Sequence, residues 1–289
     1  MKLLSFGFYL SLAALASATS LSAQTNEFMF LGNSVSYGTD ATSAQSGAVV
    51  AYDATTGTGN TNAEGVALAD LGPNWLGLDE AVPGSTTTQM IASFDNNDEQ
   101  ALFAPGVTNK VVVPWEASNQ LDGWVDGGNA NATSVQISAE ALSVYNQTVA
   151  FGLQLQGLGD KVLAMTFMPR DEPGLANPAE METLRLDYNT LVRNGWQSWA
   201  NGFADVGGPN SPVGVYGNWT DFYPGTGSDV DLHLNNAGYA VVGNDVAAGI
   251  ESMEVPEPSS LGLILLGLFA IFGLRRLAAP RVTNDAGAK

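Results

Sequence analysis

Two reactive side chains are scarce in this 289-residue chain, which has no cysteine and a single histidine, His233. The absence of cysteine excludes disulfide bonds, cysteine nucleophiles and thiolate metal ligands, so a packed core must hold the fold together. A hydroxyl nucleophile needs a general base whose pKa lies near neutrality, and imidazole is the usual one. Any histidine-assisted nucleophilic catalysis therefore uses His233 together with a serine or a threonine.

Basic side chains are also few. The chain has 10 lysines and arginines against 29 aspartates and glutamates, and its formal net charge is −19. A surface of that sign repels nucleic acid and anionic lipid, so we expect no nucleic-acid partner. It suits an external medium or calcium bound at the surface. Half of the basic residues lie at the two ends of the chain: Lys2, Arg275, Arg276, Arg281 and Lys289.

The amino-terminal residues have the pattern of an export signal, in which Lys2 precedes an apolar run and then small residues. Ala16-Ser17-Ala18 fits the small-x-small cleavage pattern strictly, and Leu21-Ser22-Ala23 fits it loosely. We predict a secretory signal peptide over residues 1–23, with cleavage after Ala18 as the alternative.

Residues 255–289 contain three features in a fixed order. Pro256-Glu257-Pro258 comes first, an apolar run spans residues 261–274, and Arg275 and Arg276 follow. The run is shorter than the ~20 residues that cross a bilayer comfortably. The segment resembles the PEP-CTERM sorting signal of Gram-negative bacteria, with a longer tail than usual. That resemblance implies export through the inner membrane, transient membrane association, processing by an exosortase, and delivery to the cell envelope, surface or extracellular matrix. A simple membrane anchor is the alternative.

The remaining residues, 24–254, suit one domain of ordinary size. Apolar runs alternate with helical patterns, which is typical of an α/β sheet covered by helices on both faces. A buried parallel strand needs continuous apolar character. Three runs have it, at residues 27–31, 110–114 and 161–168, and residues 213–216 are a fourth candidate.

Two segments have the periodicity or the cap of a helix. Apolar residues recur at three- and four-residue steps over residues 179–203. Asn235 or Asn236 is the candidate cap of a final helix that ends near Met253. Residues 39–62 are instead rich in Gly, Ser, Thr and Asn, and we interpret them as a long surface insertion.

Candidate functional residues follow the predicted strands, because ligands of an open α/β sheet bind at the carboxyl ends of its strands. Ser34 lies three residues after EFMFL in a Gly-Asn-Ser turn, and Asn119 follows KVVVP in WEASNQL. Gly84 lies in VPGSTTTQM, where a small residue lets a backbone N–H approach an oxyanion. His233 precedes the final predicted helix.

The four residues occur in the order of the four sequence blocks of the SGNH hydrolases, or GDSL esterase/lipase superfamily. The chain resembles that family over most of residues 27–251. The resemblance implies a three-layer α/β/α sandwich with a mostly parallel, flavodoxin-like sheet, and an esterase without metal or organic cofactor. It also implies that Ser34 is the nucleophile and His233 the base. The implied oxyanion hole consists of the Ser34 and Gly84 backbone N–H groups and the Asn119 side-chain amide.

Three positions depart from the family pattern. The family's Gly-Asp-Ser is Gly32-Asn33-Ser34 here, and its Gly-x-Asn-Asp is Ala117-Ser118-Asn119-Gln120. Its triad aspartate lies three residues before the histidine, where this chain has Val230. Asp229 and Asp231 flank that position, and either is a candidate to orient the imidazole, with Asp231 preferred. Loss of this carboxylate lowers the rate of a serine hydrolase by orders of magnitude without abolishing hydrolysis.

The expected function is an exported serine esterase that acts on O-acyl esters. Acetyl groups on extracellular polysaccharide are the simplest substrate, and a lipid is the second choice. The alternative is a non-catalytic cell-surface or matrix protein that keeps the fold, which Val230 and the acidic charge favour.

Of the other charged residues, we expect Arg170 to pair with Asp171 or Glu172 rather than with a substrate. The acidic run 95–99 lacks the spacing of a calcium loop and is expected to be solvated surface.

Overall fold

The structure, a computed structural model, describes residues 26–38, 62–170, 175–216, 222 and 232–254. The chain divides into one compact unit, Met1–Ser252, and a second, Met253–Lys289. The predicted signal peptide, nearly all of the predicted insertion and the sorting segment lie outside the described residues. Within the described ranges, no helix is both long enough and apolar enough to cross a bilayer.

A parallel sheet forms the centre of the first unit. Its five strands in the described residues are β1 (Asn26–Gly32), β2 (Trp75–Asp79), β3 (Asn109–Trp115), β4 (Lys161–Met165) and β5 (Gly202–Ala204). They are arranged in the order β2-β1-β3-β4-β5, and every neighbouring pair is parallel. This is the flavodoxin-like order, whose switch point lies between β1 and β3. The predicted flavodoxin-like sheet is therefore confirmed.

Helices connect the strands. Those in the described residues are α1 (Ser34–Tyr37), α2 (Ala63–Leu71), α3 (Thr87–Asn97), α4 (Ser118–Trp124), α5 (Ser134–Gly157), α6 (Pro178–Gly195) and α7 (Asn236–Glu254). A π-helical turn extends α4, and short 3₁₀ turns occupy Glu99–Leu102, Trp196–Ser198 and Pro212–Gly214.

The two faces of the sheet are covered by different helices, because successive strand residues point to opposite faces. On one face, strand residues share a core cluster with side chains of α3, α4, α5 and α6: Met29, Leu31, Val112, Val162 and Ala164. On the other face, a Cβ at Gly249 of α7 would lie 2.7 Å from Leu163 of β4. A Cβ at Gly243 of α7 would lie 2.5 Å from the Cβ of Val66 in α2. The predicted three-layer α/β/α sandwich is confirmed.

Three of the four predicted strands are present. Residues 27–31, 110–114 and 161–168 correspond to β1, β3 and the somewhat shorter β4. The prediction of a strand at 213–216 was wrong, because Pro212–Gly214 forms a 3₁₀ turn. This turn packs closely on the chain before it, since a Cβ at Gly214 would lie 2.4 Å from the carbonyl oxygen of Gly208.

Both predicted helices are present, with one change of length. The helix predicted over 179–203 ends at Gly195, and β5 begins at Gly202. A Cβ at Gly195 would clash with the Tyr145 hydroxyl, so this glycine allows a close approach of α5 and α6. The final helix, α7, is capped by Asn235, whose Oδ1 accepts a hydrogen bond from the Gly238 N–H at 3.0 Å.

Candidate active site

Ser34 is the first residue of α1, in a tight turn directly after β1. Gly32, two residues earlier, has φ of 157°, and a Cβ there would lie 2.4 Å from the Trp115 carbonyl oxygen in β3. Asn33 caps α1, because its Oδ1 accepts a hydrogen bond from the Val35 N–H at 2.8 Å. The glycine thus lets β1 and β3 approach each other, and the cap orients the helix that begins with Ser34.

Ser34 and His233 meet in space although 199 residues separate them in the chain. His233 Nε2 lies 2.8 Å from Ser34 Oγ. The imidazole is buried, with 5% exposure, while Ser34 is partly exposed to solvent. A nucleophile and its general base need a hydrogen bond of this length. The structure therefore brings together the two residues that the sequence predicted as nucleophile and base.

The two carboxylates predicted to orient the imidazole precede His233 in the chain. Asp229, Val230 and Asp231 lie outside the described residues. The choice between the two aspartates therefore stays a prediction, and the described residues define a Ser-His pair.

Asn119 lies in the first turn of α4 and contacts the loop that contains Gly84. Its Nδ2 donates to the Ser85 carbonyl oxygen at 3.0 Å, and its Oδ1 accepts from Arg170 Nη1 at 2.8 Å. Both ends of the amide are therefore held, and the amide nitrogen has a second hydrogen for another acceptor.

The loop with Gly84 is tied to the end of β1. The Val82 N–H donates to the Gly32 carbonyl oxygen at 3.0 Å. Gly84 has φ of 81°, and no heavy atom would lie within 4 Å of a Cβ at this position. The left-handed backbone conformation, rather than crowding, favours glycine here.

Glu116 is a site residue that the sequence analysis missed. It follows β3 directly and is only 3% exposed. Its Oε2 accepts from Asn33 Nδ2 at 2.6 Å, and its Oε1 accepts from the Gln120 N–H at 3.2 Å. Burial raises the pKa of Glu116 to about 7, although its hydrogen bonds and the nearby Arg170 oppose this shift. The available signal was a glutamate at the end of an apolar strand, in VVVPWE.

Arg170 is buried beside these groups, with 7% exposure. Its Nη2 lies 3.3 Å from Asp122 Oδ2, so Asp122 is its ion-pair partner in the described residues. The partners that we expected from the sequence, Asp171 and Glu172, lie outside those residues. Because Arg170 also donates to Asn119, it fixes the orientation of a predicted oxyanion-hole amide.

A small cleft lies beside the Ser-His pair. It is lined by Val35 and Leu232, the chain neighbours of Ser34 and His233, and by Glu116, Phe167 and Arg170. Its free space is about 20 Å³, which is room for about one water molecule. A group of the size of a methyl fits this space.

In the acidic run 95–99, Asp95 and Asp98 are exposed, as expected, whereas Glu99 is not. Asp95 accepts a hydrogen bond from Gln154 at 2.6 Å. Glu99 is 3% exposed and accepts from Ser93 at 2.8 Å, so the prediction was wrong for this residue, whose 3₁₀ turn directs it toward α3. In the described part of the chain, no group of three or more His, Cys, Asp or Glu side chains is arranged to hold a metal ion.

Comparison with protein families identifies the carboxyl-terminal segment. Residues 254–276 match the PEP-CTERM protein-sorting motif, as predicted. The chain therefore carries a motif that indicates export and sorting to the cell envelope. A comparison with curated protein sequences found no match.

Several solved structures of esterases are similar to this chain. An aryl esterase from M. smegmatis is 17% identical with a TM-score of 0.48, over 79% of this chain and 100% of that chain. A carbohydrate acetylesterase from Sinorhizobium meliloti is 14% identical with a TM-score of 0.49, over 79% of this chain and 100% of that chain. A mutant acetyl-xylooligosaccharide esterase from Geobacillus is 11% identical with a TM-score of 0.49, over 78% of this chain and 94% of that chain. Sequence identities this low do not assign a reaction to the present chain, so its chemistry is inferred from the geometry of its own residues.

Proposed function

We propose that this chain is an exported serine esterase of the SGNH type, in which Ser34 is the nucleophile and His233 the general base. The observation that carries the proposal is the 2.8 Å contact between Ser34 Oγ and His233 Nε2. An imidazole nitrogen at this distance takes the hydroxyl proton as the oxygen attacks an ester carbonyl. The order of the four family-like sequence blocks supports the same assignment.

The negative charge of the tetrahedral intermediate is held by three donors in this proposal. They are the backbone N–H groups of Ser34 and Gly84 and the second N–H of the Asn119 side chain. The contacts of Asn119 with Ser85 and Arg170 orient its amide before a substrate binds. One such donor is typically worth about 3 kcal/mol in the transition state. The imidazolium of His233 then gives its proton to the leaving alcohol oxygen as the tetrahedral intermediate collapses to the acyl-enzyme. Neutral His233 next acts as the base for the water that hydrolyses the acyl-enzyme and frees Ser34.

Acetyl esters on extracellular polysaccharide are the proposed substrate class. The sorting motif supports a location in the cell envelope, where such polymers occur. The cleft beside the Ser-His pair has free space for a methyl-sized group, which supports an acetyl ester. A lipid ester is therefore the second choice within the same activity.

A non-catalytic surface or matrix protein is the second candidate function. It is favoured by Val230 at the position of the family's triad aspartate and by the net charge of −19. A fluorophosphonate probe distinguishes the two functions, because only an activated serine reacts with it. Labelling that disappears in Ser34→Ala supports the esterase, and a well-folded protein that is never labelled supports the surface protein.

The kinetic test is hydrolysis of p-nitrophenyl acetate, butyrate and octanoate by the purified protein. We expect Ser34→Ala and His233→Ala each to abolish most of the activity, and acetate to be the best substrate. The matched control is Ser138→Ala, which removes an exposed hydroxyl of α5 that donates to Asp187 at 2.7 Å. Esterase activity that survives in Ser34→Ala would show that the assignment is wrong.

A further inference from the structure

We propose that Glu116 is a positioning residue for the nucleophile and that its carboxylate is matched to asparagine, rather than aspartate, at position 33. The inference rests on the proposed function, because it concerns how Ser34 is held. Glu116 acts on Ser34 through Asn33, which it contacts directly and which precedes Ser34 in the chain.

The side-chain amide of Asn33 is used at both ends. Its Oδ1 accepts from the Val35 N–H at 2.8 Å, and its Nδ2 donates to Glu116 Oε2 at 2.6 Å and to Ser118 Oγ at 3.0 Å. Asn33 and Glu116 are each only 3% exposed, so solvent competes little for these bonds. Above about pH 7 Glu116 is ionised and only accepts hydrogen bonds, so the nitrogen end of the amide must face it. The carboxylate therefore dictates which end of Asn33 caps the helix of Ser34.

The other side of Glu116 is held by the helix that contains Asn119. Glu116 Oε1 accepts from the Gln120 N–H at 3.2 Å, in the first turn of α4. The positive charge of Arg170 favours the ionised form of Glu116, and the same guanidinium donates to Asn119. Glu116 thus connects the turn of the proposed nucleophile with the groups that orient a proposed oxyanion donor.

An aspartate at position 33, as in the family's Gly-Asp-Ser, has no N–H to donate to Glu116. It would put a second carboxylate where a donor now lies 2.6 Å from Glu116. Two buried carboxylates at that separation cannot both be ionised, so the pair would take up a proton or move apart. Displacing the turn by even about 1 Å can lower a rate by about 100-fold, because the reacting atoms lose their alignment. The departure Gly32-Asn33-Ser34 therefore goes together with Glu116.

A double-mutant cycle tests this pairing with p-nitrophenyl acetate as the substrate at pH 8, where Glu116 is ionised. We expect Asn33→Asp to lower kcat about 10- to 100-fold while KM changes less than about threefold. Glu116→Gln alone should lower kcat less, since its amide oxygen can still accept one of the two hydrogen bonds. In the double variant the new amide at position 116 donates to the new carboxylate at position 33. We expect its kcat to return to within about fivefold of the wild-type value.

The matched control is Glu99→Gln, which changes a glutamate of equal burial outside the site. It should leave kcat unchanged and should not rescue Asn33→Asp. A double variant as slow as Asn33→Asp, in a protein whose activity depends on Ser34, overturns the positioning role and leaves the proposed function intact. Activity that is independent of Ser34 overturns both.

Protein stability provides a second readout if Asn33→Asp folds poorly. The midpoint of thermal unfolding should fall in Asn33→Asp and recover in the double variant, because the donor and the acceptor are restored in exchanged positions. Recovery supports the pairing, whereas a midpoint that falls further in the double variant overturns it.

Discussion

A few buried polar residues set the position of the proposed nucleophile. Gly32 allows the backbone of β3 to approach closely, because a Cβ at position 32 would lie 2.4 Å from the Trp115 carbonyl oxygen. Asn33 caps the short helix that begins with Ser34, and Glu116 holds Asn33. Together these contacts hold the turn that contains Ser34, whose Oγ lies 2.8 Å from His233 Nε2.

Asp231 and Asp229 are the candidate carboxylates for orienting His233, and substitution distinguishes them. We expect Asp231→Asn to lower kcat by up to about 10⁴-fold, because an amide favours the wrong imidazole tautomer. Asp229→Asn should have a much smaller effect on kcat. The measurement is kcat for p-nitrophenyl acetate across pH, with the surface variant Asp187→Asn as the control. A large loss in Asp229→Asn alone would reverse the assignment, and no loss in either would exclude a triad with these residues.

At the scale of secondary structure, the strands with continuous apolar runs were predicted from the sequence, and the strands without such runs were not. β1, β3 and β4 are buried on both faces and were predicted from their composition. β2 has the burial pattern of an edge strand and contains Gly77, where the Glu64 side chain of α2 fills the space of a Cβ. β5 has only three residues, which is too short for any periodicity to appear.

The longest helix, α5, was not predicted although its sequence contains the signal. Its buried residues recur at alternating steps of four and three: Ile137, Ala141, Val144, Thr148, Phe151 and Leu155. A capping box of Thr133 and Gln136 marks its start. Both patterns are typical of an amphipathic helix and are readable without a structure.

The capping box provides a prediction for α5. Thr133 Oγ1 accepts from the Gln136 N–H, and Gln136 Oε1 accepts from the Thr133 N–H at 2.9 Å. Thr133→Ala should therefore lower the free energy of unfolding by about 1 kcal/mol and leave kcat unchanged. The measurement is urea denaturation. Thr183→Ala is the control, since Thr183 lies inside α6 and donates only to the Ala179 carbonyl, so its loss should be nearly neutral. Equal losses in both variants would contradict the role of the cap.

At the scale of the whole molecule, the order of the strands assembles the site. β1 and β3 are neighbours at the centre of the sheet, so Ser34, Glu116 and Asn119 follow adjacent strand ends. His233 comes from the opposite end of the chain, just before α7. The site therefore exists only when the sheet and its helices are complete, and we expect catalytic activity and tertiary structure to be lost together.

The stability of the whole protein should decrease as pH rises from about 4.5 to about 7. Burial raises the pKa of Glu116 from 4.5 to about 7, and burial raises the pKa of Asp79 from 3.8 to about 7. In this range the folded state binds more protons than the unfolded state, so raising the pH favours unfolding. The shift at Glu116 alone corresponds to about 3 kcal/mol. Self-repulsion of the net negative charge acts in the same direction.

Urea denaturation between pH 4.5 and 8 measures this dependence of stability on pH. Glu116→Gln should flatten the decrease in unfolding free energy, because the amide does not ionise. Glu99→Gln is the control, as in the activity measurements. A slope that is the same in the wild type and in Glu116→Gln would show that Glu116 does not titrate in this range.

Local patterns in the sequence determined the fold class, the single histidine available as a base, the order of the four blocks and the sorting motif at residues 254–276. Each of these depends on residue type or on short-range spacing. Only the tertiary structure decided that His233 Nε2 lies 2.8 Å from Ser34 Oγ and that Asn33 faces Glu116 rather than water. These pairs are 199 and 83 residues apart in the chain. Their contact depends on strand order and register, which global packing selects and which no local pattern encodes.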